Sequence, residues 1–294
     1  MNESKLLDLI YKRSEGLGLS GARLLVGPGD DCAVIETPGG DVLLLTVDQV
    51  VEGRHYEPGT DLDLVARKAI ARSVSDIAAM GGVPTWSMAT GILPSGFAQG
   101  DELFEAMSTW ALHWGCPLIG GDIASSDGPL SLTVTVCGRM EMGSSPKLRS
   151  GARVGDEVWV TGPLGGSFAS GRHLTFEPRL DIGQHSAACA RVHAMMDISD
   201  GLGRDAGRLA RASGVLIEIE ASKIPTHEGV ATWHAAAGEG EDHELLIGGE
   251  RLDEHLPGLL GPIGRCVAGV APGVVVVDEA GVRHDAGDLG WNHA

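Results

Sequence analysis

A set of aspartates recurs at strand ends and in glycine-bearing turns: Asp30 and Asp31, Asp48, Asp122, Asp197 and Asp200, with Asp76 near the end of a long helical pattern. An all-oxygen donor set of this kind suits Mg²⁺ or Mn²⁺, not zinc. Taken singly, each is an ordinary Asx turn or helix N-cap; taken together they point to a metal site. The run Asp197-Ile-Ser-Asp-Gly201 adds geometry, because a strand there delivers two carboxylates and a hydroxyl to a helix N-terminus, where phosphate binds. Bare carboxylates repel phosphate, so the arrangement implies a bridging cation and a metal–nucleotide ligand in place of a free anion.

The element that must carry Asp76 is residues 61–84, DLDLVARKAIARSVSDIAAMGGVP. Leu64, Val65, Ala69, Val74, Ile77 and Ala78 recur at near-helical spacing, Asp61 is the N-cap, Gly81 and Gly82 stop the helix and Pro84 prevents a restart. The pattern is amphipathic. Lys68, Arg72 and Asp76 lie four apart and share one face. Asp76 sits near the C-terminal end, where the helix dipole disfavours a carboxylate by about 0.3–1 kcal/mol. A solvated Arg72–Asp76 pair is one reading; a functional carboxylate held by neighbouring cations is the other. Lys68 and Arg72 then hold Asp76 or a nearby phosphate, and the spacing does not choose between these.

Around this helix the chain reads as two units. Residues 2–16 suggest a short amphipathic helix charged throughout, unlike a signal peptide. Strands follow at 32–35 and 42–47, the second ending in Asp48; the long helix comes next, then a strand at 86–93 and a helix at 100–115. A short strand at 117–119 breaks at Gly120-Gly121-Asp122, and residues 130–138 alternate as a long strand. This order describes an α+β unit, a mixed sheet with helices on one face. Residues 142–155, rich in Gly, Ser and charge, read as the linker. The domain expectation is therefore 1–142 and 143–294, the second unit being α/β. In it, 157–160 is a strand, 162–172 a glycine-rich turn entering a helix, 194–196 a strand and 202–213 a helix. Residues 226–240 read as irregular, with strands at 215–219, 242–247, 264–270 and 274–277.

Composition bounds the rest. The chain has 294 residues, 43% of them hydrophobic, which is comfortable for two globular domains. With 40 acidic against 22 basic residues the net charge is −18, which argues against nonspecific nucleic-acid or anionic-membrane binding. Cys32, Cys116, Cys137, Cys189 and Cys266 form no C-x-x-C pair and read as reduced thiols of a cytoplasmic protein. No apolar run approaches the ~18 residues that span a bilayer. There is no G-x-x-x-x-G-K-[ST] loop, no H-E-x-x-H and no G-x-S-x-G; Gly201-Leu-Gly203 carries only a fragment of the dinucleotide fingerprint.

Five segments carry a resemblance: GPGDDCAVI (27–35), TVDQVVEGRHY (46–56), ARKAIARSVSDIAAMGGVP (66–84), IGGDIASSDGPLSLTVTVCG (119–138) and MDISDGL (196–202). Weaker matches are Glu241-Asp-His-Glu-Leu245 and Gly290-Trp-Asn-His293. With these motifs the chain resembles the thiamine-monophosphate kinases, a family of the aminoimidazole-ribonucleotide-synthetase-like superfamily, over nearly its whole length. The resemblance implies two α/β domains that dimerise through the N-terminal sheets. It implies several Mg²⁺ ions at Asp31, Thr46, Val47, Asp48, Asp76, Asp122, Asp197 and Asp200. It places ATP at Gly121, Asp122, Arg149 and Ser199, and thiamine phosphate at His55, Glu241 and Trp291. Three positions depart from the family pattern: Val47 stands where Thr is usual, Ser73 where Asn is usual, and His243 where Tyr is common. Residues 172–195 and 226–240 look shortened. Without the resemblance, His55 is a strand cap, Trp291 is C-terminal packing and Arg149 is a solvated linker residue.

The implied reaction is ATP plus thiamine monophosphate giving thiamine diphosphate plus ADP, by direct Mg²⁺-assisted in-line transfer with no general base. Two alternatives stand beside it. One is another ATP-using enzyme of the superfamily; here no Cys follows Cys266, as the hydrogenase-maturation branch requires, and none precedes Cys32, as selenophosphate synthetases require. The other is a nucleotide-binding regulator without catalysis.

Overall fold

The computed structural model describes residues 3–14 and 16–291. Helix α1 (Glu3–Ser14) leads into strands β1 (Arg23–Val26), β2 (Ala33–Glu36) and β3 (Val42–Val51). Helix α2 (Leu62–Ala79), β4 (Val83–Pro94), α3 (Gly100–His113), β5 (Leu118–Ser126) and β6 (Ser131–Arg139) follow. These strands form one sheet in the order β1-β2-β3-β6-β4-β5, antiparallel except for β4 and β5. The remaining elements are β7 (Glu157–Val160), α4 (Ser167–Ser170), α5 (Leu180–Ala188), β8 (Val192–Ile198), α6 (Leu202–Ser213), β9 (Leu216–Glu220), α7 (Trp233–Gly238), β10 (Glu244–Gly249), β11 (Leu260–Val267), β12 (Gly273–Val277) and β13 (Arg283–Asp285). Their seven strands form a second sheet, β13-β12-β9-β11-β7-β10-β8.

Helix α2 lies between the two sheets. Asp61 caps it, accepting the Asp63 N–H at 2.8 Å, as the sequence predicts. The amphipathic expectation is corrected: from Val65 to Ala79 every residue except Asp76 is buried. One side packs Val65, Ile70, Val74 and Ile77 against Leu44, Val134 and Val136 of the first sheet. At the other, Ala79 meets Trp159, Met195 and Leu245 of the second. Each large aliphatic side chain buried this way contributes about 1.5–3 kcal/mol. The end of α2 approaches α5 closely enough to need glycine on both sides. A Cβ at Gly81 would fall 2.4 Å from the Ala187 Cβ, and one at Gly183 2.2 Å from the Ala78 carbonyl oxygen.

Several boundaries differ from the sequence reading. Strand β5 runs unbroken through Gly120-Gly121-Asp122, because a register shift opposite Ser87 and Ala89 absorbs the extra residue. The helix expected at 162–172 is only the four-residue α4. Helix α5 occupies the 172–195 segment, and α7, capped by Thr232, lies within the stretch read as irregular. The 142–155 linker is packed down: the Lys147 N–H donates to the Met80 carbonyl at 3.2 Å and Leu148 bridges to Ala194. All five cysteines are free, four of them buried. Among the described residues no helix is long and apolar enough to cross a membrane.

Candidate metal and nucleotide site

Three of the expected carboxylates converge. Asp31 comes from the turn before β2, Asp76 from the last turn of α2 and Asp197 from the end of β8, and their ligand oxygens all lie within 4.8 Å of one another. Alternation on β3 turns Thr46 and Asp48 toward α2; the Thr46 hydroxyl donates to Asp76 and Asp48 meets Arg72 at 3.4 Å. Asp197 accepts the Ser75 hydroxyl at 2.7 Å and faces His243 Nδ1 at 3.3 Å. One oxygen of Asp31 pairs with the Arg149 guanidinium, while its Oδ2 is buried with no hydrogen-bond partner.

Electrostatics mark the cluster as short of positive charge. Burial pushes the Asp31 carboxyl up to about 7, Asp197 and Asp30 add to the rise, and Arg149 opposes it. Burial also raises Asp76 well above the usual carboxylate range, with repulsion from Asp48, Asp197 and Asp31 behind it. For Asp197 burial acts the same way, but His243, Ser75 and Arg149 outweigh it and hold the group below its ordinary value. Three converging carboxylates, one buried unpartnered oxygen and an all-oxygen surround fit Mg²⁺.

Other expected residues gather at the rim. Asp200 pairs with Arg208 at 2.6 Å. Its own N–H and that of Gly201 donate to the buried Asp205 carboxylate at 2.9 and 3.1 Å. Asp30 accepts the Arg149 N–H at 3.1 Å. Arg149 is thus no solvated linker residue: its side chain is only 15% exposed, against Asp30 and Asp31. The Ser199 carbonyl accepts the Glu241 N–H at 2.7 Å, and the Asp200 carbonyl accepts the Trp291 N–H at 2.8 Å. The Trp291 ring is exposed, and Asn292 and His293 of the terminal match lie outside the described residues.

Two expected ligand positions stand apart. The Val47 side chain, 62% exposed, points to the face of the sheet away from α2, so only its main chain is near the site. Asp122 aligns across the sheet with Thr90, Thr133 and Gln49 on that same outer face. It lies on β5, three strands from β3, roughly 14 Å at the usual strand spacing. Neither Asp122 nor Gly121 joins the Asp31–Asp76–Asp197 cluster within one chain.

The larger surprise is Glu241. Its residue takes a positive φ of 65°, and its carboxylate meets Arg72 Nη1 at 2.9 Å, Lys68 Nζ at 2.9 Å and His243 Nε2 at 3.3 Å. Burial opposes its charge, yet Arg72, His243 and Lys68 hold it well below the usual range. The direct carboxylate partners of Arg72 are thus Glu241 and Asp48 and that of Lys68 is Glu241; no ion pair joins either to Asp76 among the described residues. Lys68 is fully buried and also donates to the His55 carbonyl at 2.5 Å and meets His173 Nδ1 at 2.8 Å. His55 Nδ1 accepts the Val51 N–H at 3.0 Å. His243 stacks on Phe176 with centroids 4.0 Å apart. The i, i+4 spacing of Lys68 and Arg72 was the available signal for this network; His173 and Phe176 carried none.

Comparison with known proteins agrees with this geometry. Residues 29–140 match the model of the AIR synthase related protein, N-terminal domain. The thiamine-monophosphate kinase of Rhodopirellula baltica is 35% identical over 244 residues, 76% of each chain, and that of Bacillus subtilis 34% identical over 75% of this chain and 76% of its own. A solved structure, AaThiL complexed with AMPPCP and TMP, superposes with a TM-score of 0.85 at 31% identity, over 100% of this chain and 97% of that one. The hydrogenase maturation protein HypE, in its complex with HypF, superposes at 0.71 with 17% identity and shares the fold alone. Sequence, fold and the carboxylate cluster agree, and the chain belongs to the thiamine-monophosphate kinase family.

Proposed function

We propose that this chain transfers the γ-phosphoryl group of ATP to thiamine monophosphate, giving thiamine diphosphate and ADP. The observation that carries the reading is the convergence of Asp31, Asp76 and Asp197 within 4.8 Å, with the buried Asp31 Oδ2 unpartnered, in a chain of this family. The acceptor is a phosphate monoester whose second pKa is about 6, so it reaches the site already ionised and needs no general base. The difficulty is bringing two polyanions together.

Asp31, Asp76 and Asp197, with Thr46, Asp48 and Asp200 beside them, would hold Mg²⁺. The chemistry such an ion would supply is offset of the charge on the donor and acceptor phosphates. Arg149 opposes the rise that burial imposes on Asp31 and places a guanidinium at the edge of the cluster, suited to the ATP phosphates together with Ser199. Asp205 ties down the first N–H groups of the turn entering α6, fixing Asp200. The Val51 N–H donates to His55 Nδ1 and fixes the orientation of the ring. His55, Glu241 and Trp291 are assigned to thiamine monophosphate. Gly121 and Asp122 are assigned to ATP and, for Asp122, to metal on the resemblance alone.

The chain divides at 142/143 in this reading: each sheet has its own apolar core, although Phe176 and Ala187 of the second half complete the first. The outer face of the first sheet exposes Val47, Met88 and Ile92. That apolar surface supports a homodimer formed through the N-terminal sheets. Reduced thiols and an ATP-dependent reaction fit the cytoplasm.

The test is ADP release measured with purified protein, ATP and Mg²⁺. Release that requires thiamine monophosphate supports the reading; release independent of it, or none, overturns it.

A further inference from the structure

Lys68 has three ammonium donors, and each is directed to a different part of the chain. One goes to the His55 carbonyl in the loop after β3, one to Glu241 Oε2 in the turn before β10, and one toward His173 Nδ1 in the 172–174 turn, at 2.5, 2.9 and 2.8 Å. No donor is left for a phosphate, and the side chain has no exposed surface. Burial lowers the pKa of His173 to about 4, with Lys68 adding to the effect, so its ring is a neutral acceptor for the ammonium.

Stability alone is a poor reason for such a lysine, because a buried ion pair is often no better than an apolar replacement of similar volume. Its partners supply a better one. His55 and Glu241 come from opposite halves of the chain, and both are assigned above to the acceptor. We propose that Lys68 is a positioning residue of the acceptor site, pinning the His55 loop to the Glu241 turn and so setting the spacing of the two acceptor contacts. This rests on the functional reading above.

The same geometry describes what Glu241 can recognise. Its Oε2 is taken by Lys68 and His243 and its Oε1 by Arg72, so one lone-pair direction on Oε1 remains. Two cations already balance its charge. It is therefore set to accept one hydrogen bond from a neutral N–H donor, such as the exocyclic amine of a pyrimidine, and not to attract a cation.

The experiment is a double-mutant cycle read by steady-state kinetics and calorimetry. Lys68→Met is expected to raise the KM for thiamine monophosphate at least tenfold while kcat and the KM for ATP stay within twofold. In a Glu241→Gln background the same change is expected to move the acceptor KM less than twofold. An unchanged acceptor KM, parallel rises in both KM values, or an equal effect in both backgrounds overturns the proposal. The unmodified protein gives a second readout that does not depend on the variant folding: the protected ¹⁵N-lysine ammonium signal of Lys68. It should shift on adding thiamine monophosphate and not on adding AMPPCP with Mg²⁺; absence of the acceptor-induced shift overturns the proposal. A wild-type chain that neither converts nor binds thiamine monophosphate removes the functional reading and this proposal with it. A converting wild type matched by Lys68→Met removes this proposal alone.

Discussion

Ser75 and Asp197 stand 122 positions apart in sequence and share a 2.7 Å hydrogen bond, hydroxyl to carboxylate, inside the protein. Ser75 belongs to α2 and Asp197 to β8, and the next residue of α2 is Asp76. The Asp31–Asp76–Asp197 cluster is thus assembled by the docking of one half of the chain on the other, and neither half holds it alone.

Ser75→Ala should destabilise the protein by about 1–3 kcal/mol, the usual result of leaving a buried acceptor short of a donor. Urea denaturation measures this. A variant as stable as the wild type would mean that His243 alone satisfies Asp197.

Asp76→Asn should abolish turnover without unfolding the chain, since burial and repulsion from Asp48, Asp197 and Asp31 already disfavour the ionised carboxylate there and an amide of the same shape carries no charge. Thermal unfolding with and without Mg²⁺ separates the two effects. The metal-free variant should melt no lower than wild type, and the Mg²⁺-induced rise in Tm should disappear. Near-wild-type activity with Mg²⁺ would remove Asp76 from the metal site.

The carboxylate cluster was legible because its members stand in local patterns that need no knowledge of packing: an aspartate pair in a glycine turn, a carboxylate at the wrong end of a helix, and a strand-to-helix Asp-Ile-Ser-Asp-Gly run. The surround of Glu241 was not legible, because Arg72 and Glu241 are 169 residues apart and meet only once α2 lies between the sheets. The same burial hid the true character of α2. Alanine and serine on its nominally polar side look like a modest solvent face, yet Ala66 lies in the core of the first sheet, Ser73 donates to the Val134 carbonyl of that sheet, and Ser75 is covered by Asp197 of the second. Gly120 and Gly121 suggested a strand break, and the close approach of Gly121 to Ala89 shows why glycine stands inside a continuous strand there.

Asp242 gives a pH dependence. Its carboxyl accepts the Gly165 N–H at 3.1 Å and pairs with Arg172 at 2.7 Å, but burial dominates and raises it from 3.8 to about 7. Between those values the folded chain holds a proton that the unfolded chain has released. The stability from this group is present below about pH 4 and is lost as pH rises toward 7. Asp242→Asn should therefore show a flatter stability profile than wild type between pH 5 and 7.5. Parallel profiles from urea titrations would show that Arg172 keeps the group ionised throughout.

Trp291→Ala should raise the KM for thiamine monophosphate by the equivalent of about 1–2 kcal/mol, as loss of a stacking or cation–π contact would, with little change in the KM for ATP. Kinetics varying each substrate in turn checks this. An unchanged acceptor KM would reduce Trp291 to terminal packing.

Light scattering at micromolar concentration should find a dimer, because the outer face of the first sheet leaves Val47, Met88 and Ile92 in solvent. A monomer would contradict the assignment of that face.

The most direct measurement is identification of the phosphorylated product. Wild-type protein, Mg²⁺, thiamine monophosphate and ATP labelled at the γ-phosphate should yield labelled thiamine diphosphate in equal amount to ADP. Label found only in inorganic phosphate, or thiamine monophosphate recovered unlabelled while ATP stays intact, would contradict the account.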